Sequence, residues 1–374
     1  FFGSNQSEFS TLNQSFRHPD SKEITVEVKK LDDLCIETGF TNPDFIKMDV
    51  EGVETNVLAG GAQVFNEMSP LVMFEVIARG EIDLSAANHL RELSYDLYRF
   101  IPALNCLAPV DDIEKLDPDQ LNLFGCKKDR REWLISNQLL PEILPEIGAE
   151  ATSDVAFDTV SKLLDRFDDL IFADGFRKIW SSMKNSNANE DRYLSLLTMY
   201  FLSKEQHRTL TSRLKLLHRC YNEMLDLASI EPNPSRLSSL ARIAQEFGMF
   251  RSARNIIAYI RKELDSVEGN LREPFLPASN RFDRISSADN PLNWFKASIL
   301  EQDIKLEANS SIFGGKDHPK KLDSLRNYHY YGAEIERRWQ LVQVNLGRQN
   351  GFTSNPLLTH LSPDNLNPQF WRTQ

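Results

Sequence analysis

Cysteine and clustered histidine are scarce in this sequence. The chain of 374 residues contains four cysteines and seven histidines, all widely spaced. No Cys-x-x-Cys pair occurs, and no histidine lies at zinc-finger spacing or four residues from a plausible second ligand. These absences argue against a zinc-binding fold and a disulfide framework. They predict a cytoplasmic protein with reduced thiols and no bound metal.

Long apolar runs and an excess of basic residues are also missing. The longest apolar stretches, such as 71–74, are only long enough for a strand, whereas a bilayer span needs about 20 residues. Lysine and arginine together number 43 against 54 aspartates and glutamates, which gives a net charge of -11. Because nucleic acids and anionic membranes select basic surfaces, the sequence predicts neither as a partner.

The first third of the chain alternates β-rich runs with helical periods, which is typical of an α/β domain with a mostly parallel sheet. Ile24 to Val28 reads as an opening strand, and Leu31 to Thr38 as a helix that ends at Gly39. The other predicted elements are strands at 45–50, 71–76, 95–101 (an exposed edge) and 121–127, and helices at 53–65 and 85–93.

Beyond Glu132 the β-rich alternation disappears, and the sequence predicts an all-α second domain. We therefore place the domains at residues 1–131 and 132–374. Residues 237–260 resemble a tetratricopeptide-type helical hairpin, and 268–290 and 309–321 read as irregular or mobile loops. The remaining predicted helices cover 155–172, 193–202, 210–227, 236–247, 252–264 and 325–346.

One ordered set of short motifs lies within residues 24–128. The motifs are Leu31-Asp32, the segment from Asp44 to Glu54 (DFIKMDVEGVE), Val57-Leu58-Ala59-Gly60, and the segment from Pro70 to Val76 (PLVMFEV). In order and spacing they closely resemble the second half of an FkbM-type methyltransferase domain. The departures are conservative, such as Met48 in place of an isoleucine.

The resemblance implies a Rossmann-like methyltransferase that uses S-adenosylmethionine (SAM) as its cofactor. It further implies O-methylation of a small-molecule hydroxyl, as on a sugar or a secondary metabolite. The fold class expected is thus α/β followed by all-α, with a partial Rossmann-like sheet and a helical domain whose role is to position a substrate or a protein partner.

Three carboxylates are expected at one edge of this sheet. Ligands of open α/β sheets bind at the carboxyl ends of the strands, where Asp49, Glu51 and Glu75 should emerge. We predict Asp49 and Glu75 as catalytic, Asp49 and Glu51 as cofactor-binding, and Glu51 and Glu54 as substrate-binding residues. An alternative for Asp49 is a loop-ordering role, and for Glu54 a favourable interaction with the helix dipole. Lys47 reads as a solvated amine.

A SAM domain also needs a glycine-rich turn after its first strand and an acidic residue at the end of its second. Neither is found in this sequence, and Phe1 to Phe16 resembles the serine-rich stretch that follows the family's third strand. We therefore expect a chain that lacks the first half of the domain and is inactive as given. The alternative hypothesis is a helical interaction scaffold that carries a degenerate α/β domain.

Overall fold

The structure, a computed structural model, describes residues 2–3, 22–23, 25–50, 52–78, 81–110, 112–113, 116–142, 160–167, 169–182, 188–264, 267, 271–307 and 317–346. The chain divides into two compact units. The first comprises Phe1–Ile147 with His207–Leu214, and the second Gly148–Gln206 with Lys215–Gln374. The described residues after Cys126 contain helices and no strand, so the expected order of α/β followed by all-α is confirmed.

The first unit is built around a five-stranded mixed sheet with the order β3-β4-β9-β7-β8. Only β3 and β4 are parallel, and the other neighbours are antiparallel, so the expectation of a mostly parallel sheet is wrong. The strands are β1 (Phe2–Gly3), β2 (Lys22–Glu23), β3 (Phe45–Met48), β4 (Leu71–Glu75), β5 (Ile77–Ala78), β6 (Glu81–Ile82), β7 (Asp96–Ile101), β8 (Cys106–Pro109) and β9 (Asn122–Cys126).

Four helices accompany these strands, namely α1 (Leu31–Thr38), α2 (Glu54–Gly60), α3 (Ser85–Glu92) and α4 (Lys128–Ser136). The predicted end of α1 is confirmed, because Gly39 has a φ of 68° and its backbone N–H caps the last turn. A short π-helix, Val64–Met68, follows α2 and leads into β4.

Two sequence-based strand assignments need correction. Residues 25–30 contain no strand. Val26 and Val28 are exposed, so the alternation of apolar and polar residues there does not reflect pairing in a sheet. The strand predicted as an exposed edge, β7, instead lies inside the sheet between β9 and β8. Tyr98 of β7 is buried. The edge of the sheet is formed by β8, a strand that the sequence did not predict.

The Leu31-Asp32 motif packs against the residues that follow the Val57–Gly60 motif. A Cβ built on Gly61 would come within 2.8 Å of Leu31 Cδ2 and 2.9 Å of Phe65 Cε2, so a larger residue there would force these side chains to shift. The Asp32 carboxylate accepts hydrogen bonds of 3.1 Å from the backbone N–H groups of Gln63 and Val64, at the start of the π-helix. The Leu31-Asp32 motif therefore has a structural explanation.

The second unit is helical, with an aromatic core. Phe172 stacks on Trp294 with centroids 4.9 Å apart, and Phe176 stacks on Trp180 at 5.5 Å. Such pairs each contribute about 0.5–1.5 kcal/mol beyond their burial. The helices are α5 (Val160–Arg166), α6 (Arg177–Ser181), α7 (Ala188–Lys204), α8 (Leu210–Ile230), α9 (Pro234–Phe247), α10 (Phe250–Lys262), α11 (Pro291–Glu307), α12 (His318–Asn327) and α13 (Ala333–Asn345), with 3₁₀ turns at Ile171–Gly175 and Asn280–Arg284.

Several predicted helices are confirmed, but the helix predicted over 155–172 ends at Arg166, and three further segments differ from expectation. The helix predicted over 325–346 is two helices, α12 and α13, and α11 was not predicted at all. Residues 317–321 were assigned to a loop, yet α12 already begins at His318. Residues 268–270 and 309–316 of the two predicted loops lie outside the described part of the chain.

The segment 271–290 is irregular, as predicted, but much of it is buried. Side chains from two helices hold its backbone. Tyr193 donates to the Pro274 carbonyl at 2.9 Å, Ser238 donates to the Leu276 carbonyl at 2.8 Å, and Ser239 accepts from the Leu276 N–H at 2.9 Å. These bonds satisfy backbone groups that have no helix or sheet partner, which explains how an irregular segment can be buried.

A buried ion pair lies beside this segment. Arg236 donates to both oxygens of Glu273, at 2.9 and 3.1 Å, and also to Glu231 at 2.9 Å. The Arg236 side chain is 2% exposed and Glu273 10%, whereas Glu231 is 45% exposed. All four cysteines are buried and free. Among the helices described, none is both long and apolar enough to cross a bilayer.

Candidate active site

Asp49 and Glu75 are neighbours at the carboxyl edge of the parallel strand pair. The register pairs Met48 with Phe74, so Asp49 directly follows β3 at the level where Glu75 ends β4. Adjacent strands lie about 4.8 Å apart, which brings the two backbones within reach of one small ligand. The sequence predicted this convergence from the strand ends alone.

Asp49 lies on the same face of the sheet as Lys47, because side chains alternate along a strand. The Lys47 ammonium is 2.6 Å from the Asp49 Oδ2 atom, and both side chains remain about half exposed. Lys47 was interpreted as a solvated or snorkelling amine, and its half-exposed ammonium also pairs with a predicted catalytic residue. The opposite face, which carries Met48, Phe74 and Leu123, belongs to the buried core.

Glu54 is the first residue of α2, and its Oε1 accepts from the Gly52 N–H at 3.2 Å. Gly52 has a φ of 89°, a conformation that favours glycine and allows the tight loop after β3. This contact fits the structural alternative considered for Glu54, the stabilisation of the helix start. Glu51, predicted to bind cofactor and substrate, lies outside the described residues.

Asn122 extends the row of polar side chains by one strand. It is the first residue of β9 and is paired in register with Glu75 across the antiparallel β4–β9 ladder. Asp49, Glu75 and Asn122 therefore lie on neighbouring strands, on one face and at one edge. Sequence analysis missed Asn122, because nothing in a single sequence indicates that β9 would lie next to β4.

The part of this face nearer the amino end of β4 is covered by α4. Leu134 of α4 belongs to a buried cluster against which Leu71 and Phe124 pack. Arg130 of the same helix donates to the Ser69 carbonyl at 2.9 Å and to Asp44 at 2.8 Å. The helix is thus fixed at the end of the sheet opposite to Asp49.

The arrangement combines hydrogen-bond acceptors with a local negative charge. Carboxylates only accept hydrogen bonds when ionised, so Asp49 and Glu75 suit a hydroxyl proton or a cationic group. The Asn122 carboxamide both donates and accepts. Such an edge can orient a hydroxyl, accept its proton and stabilise a nearby positive charge.

Comparison with known proteins supports the motif-based assignment. Residues 1–100 match the family model described as the methyltransferase FkbM domain. The 2-O-methyltransferase NoeI of Sinorhizobium fredii is 37% identical over 70 residues, which is 17% of this chain and 27% of that protein. The match thus spans about a quarter of the curated relative's length. No solved structure matches the chain significantly.

The predicted resemblance is confirmed for the first 100 residues, which match the FkbM methyltransferase family model. The family match includes the segment Phe1 to Phe16, the strands β3 and β4, and both Asp49 and Glu75. It ends before β8 and β9, so Asn122 lies beyond the matched residues.

Proposed function

We propose that the protein transfers a methyl group from SAM to a hydroxyl of a small-molecule acceptor, such as a sugar or a secondary metabolite. The observation that carries the proposal is the position of Asp49 beside Glu75, at the carboxyl edge of a parallel strand pair within the FkbM-matching span. Ligands of open α/β sheets bind at this edge, so the carboxylates face the region where cofactor and acceptor would meet.

The residues at this edge suit the cofactor. When bound, SAM supplies a methyl group on a positively charged sulfur. Asp49 and Glu75 provide negative charge near the strand ends, which favours a cationic ligand over a neutral or anionic one. We assign cofactor binding to Asp49 and Glu51, and acceptor binding to Glu51 and Glu54.

Asp49 acts as the general base in this proposal. When bound, SAM would supply the methyl group that the acceptor oxygen takes up, and the Asp49 carboxylate would accept the proton of that hydroxyl and release it to solvent. Lys47 engages the Oδ2 atom of Asp49, which leaves the other carboxylate oxygen for the hydroxyl. Glu75 orients the acceptor from the next strand.

A pair of variants at the two ends of β3 tests the role of Asp49. Asp49→Asn keeps the side-chain shape but removes the proton acceptor, so transfer of tritium from labelled SAM should fall by about 10²–10⁴-fold in the full-length gene product. The matched control is Asp44→Asn, because Asp44 precedes the same strand and its carboxylate contacts Arg130 at the far end of the sheet. The control should transfer at nearly the wild-type rate.

Titration calorimetry tests the cofactor separately. The full-length protein should bind SAM, and no binding at millimolar cofactor would refute the proposal. Equal activity of Asp49→Asn and wild type would remove Asp49 from the mechanism while leaving SAM dependence intact.

A second candidate function is a protein-interaction scaffold formed by the helical region. It is favoured by α9 to α13, in which each helix packs against the next one along the chain, as in helical repeat proteins. We propose residues 132–374 as the module that would bind a protein partner. The calorimetric experiment discriminates the two candidates, because a full-length protein that binds no SAM favours the scaffold.

A further inference from the structure

Asn122 and Glu75 form a non-hydrogen-bonded cross-strand pair, the type in which the two side chains lie closest to each other. The Val76 N–H donates to the Leu121 carbonyl at 2.9 Å, which makes the neighbouring Glu75–Asn122 pair one without backbone hydrogen bonds between its members. Side chains of such pairs lie nearer each other than those of hydrogen-bonded pairs. The Glu75 and Asn122 side chains therefore leave the same face close together.

The backbone of Asn122 is fixed while its side chain is not. Its carbonyl accepts from Gln120 Nε2 at 2.6 Å, which anchors the start of β9. Within the described part of the chain, no residue donates to or accepts from the Asn122 carboxamide, which is half-buried. An anchored residue that presents an unused donor and acceptor beside two carboxylates has the character of a ligand-binding group.

The face in front of this row is open at β3. Phe45 is 50% exposed, and the side chains of Lys47 and Asp49 are 55% and 43% exposed. A ligand that approaches Asp49 over this face meets Glu75 on the second strand and Asn122 on the third. The row spans about 10 Å between its outer backbones.

We propose that Asn122 is an acceptor-binding residue that holds a hydroxyl adjacent to the one from which Asp49 takes the proton. This inference rests on the proposed function and narrows its acceptor to molecules with neighbouring hydroxyls. A carboxamide matches a neutral hydroxyl, which is itself donor and acceptor, whereas carboxylates match only its donor side. An acceptor with one isolated hydroxyl leaves Asn122 unused.

The test combines a variant with removal of the hydroxyl from the acceptor. The probes are the methyl glycosides of glucose, galactose and mannose, each with its monodeoxy analogues, and the full-length protein is assayed with tritium-labelled SAM. In the wild type, loss of the hydroxyl next to the methylated one should raise KM about tenfold, the effect of one hydrogen bond. For Asn122→Ala, the KM for the intact sugar should already be raised by that factor. Removing the neighbouring hydroxyl from the sugar should raise the KM of this variant no further, and kcat should be nearly unchanged.

Controls separate binding from folding. Asn88→Ala removes the same group from an exposed position on α3 of the same unit and should leave both KM values at the wild-type level. Asn122→Ser, which restores a smaller hydrogen-bonding group, should recover part of the affinity. If only Asn122→Ala has a lowered melting temperature, the KM values of Asn122→Ser test the role of Asn122 instead, because serine keeps a small polar side chain at the start of the strand.

Each outcome has a separate meaning. Transfer to a sugar that is unaffected by loss of the neighbouring hydroxyl would overturn the inference while leaving the cofactor assignment intact. If loss of the neighbouring hydroxyl raised KM by the same factor in the wild type and in Asn122→Ala, only the role of Asn122 would be overturned. Absence of SAM binding would refute the proposed function, and this inference with it.

Discussion

The Lys47 ammonium lies 2.6 Å from the Asp49 carboxylate, on the open face of the strand that carries the candidate base. Both side chains are about half exposed, and exposed ion pairs typically contribute only about 0–1 kcal/mol to stability. The pair therefore does little for the fold. Its effect is to hold the Asp49 carboxylate in one orientation at the end of β3.

Lys47→Gln should accordingly reduce methyl transfer without changing stability. We expect a loss of about tenfold in kcat, because one oriented contact is removed, and a free energy of unfolding within about 0.5 kcal/mol of the wild type. Kinetics and urea unfolding of the same preparation check both parts. Lys128→Gln, at an exposed position on α4, is the control, and an equal loss of activity there would point to a general charge effect.

Asp32 and Asp33 are adjacent but should differ sharply in importance. Asp32 accepts two backbone hydrogen bonds at the start of the π-helix, while Asp33 is exposed on α1. Since loss of a helix-capping side chain costs about 0.5–2 kcal/mol, Asp32→Ala should lower the free energy of unfolding by about that amount. Asp33→Ala should have almost no effect, and similar losses in both variants would contradict this account.

Glu273 and Glu231 both contact Arg236, but only Glu273 is buried. Removing one partner of a buried ion pair costs about 3–5 kcal/mol, because the remaining charge loses its compensation. We expect Glu273→Gln to destabilise the helical unit by about 3 kcal/mol and Glu231→Gln by less than about 1 kcal/mol. Denaturant midpoints of the two variants provide the comparison.

His318 should make the helical unit sensitive to acid. Its ring is fully buried, and within the described part of the chain neither nitrogen has a hydrogen-bond partner. Burial, together with the nearby Arg338 and Lys321, lowers its pKa below the usual 6.5, against the opposing effect of Glu307. Below that value the unfolded chain binds a proton that the folded chain does not, so stability falls as pH drops.

The variant His318→Phe keeps a buried ring and removes the titrating group. Its unfolding midpoint should fall less than that of the wild type between neutral pH and about pH 5.5. A wild-type slope in His318→Phe would assign the acid sensitivity to other groups.

Local signals in the sequence predicted local structure well. Gly39 and Gly248 both have positive φ and end helices where the sequence suggested. The convergence of Asp49 and Glu75 also followed from the sequence, because parallel strands present their carboxyl ends at one edge. Each of these inferences depends on a short stretch of chain or on a general rule of topology.

Inferences that required knowledge of which strands and helices lie next to each other were less successful. The central position of β7 and the pairing of Asn122 with Glu75 are set by the order of the strands, which one sequence does not encode visibly. Helix α11 was missed because even Glu301 and Asp303 are buried, so it lacks a polar face. The break before α13 begins at His329, which has a positive φ although it is not a glycine.

The four buried thiols give the natural chain its own reporters of opening. Burial raises the pKa of Cys106 to about 12 and that of Cys126 to about 11, so the reactive thiolate is suppressed while the fold is intact. Cys35, Cys106 and Cys126 lie in the first unit and Cys220 in the second. Alkylation of each site, followed by mass spectrometry over time, would therefore resolve the opening of the two units without any engineered label.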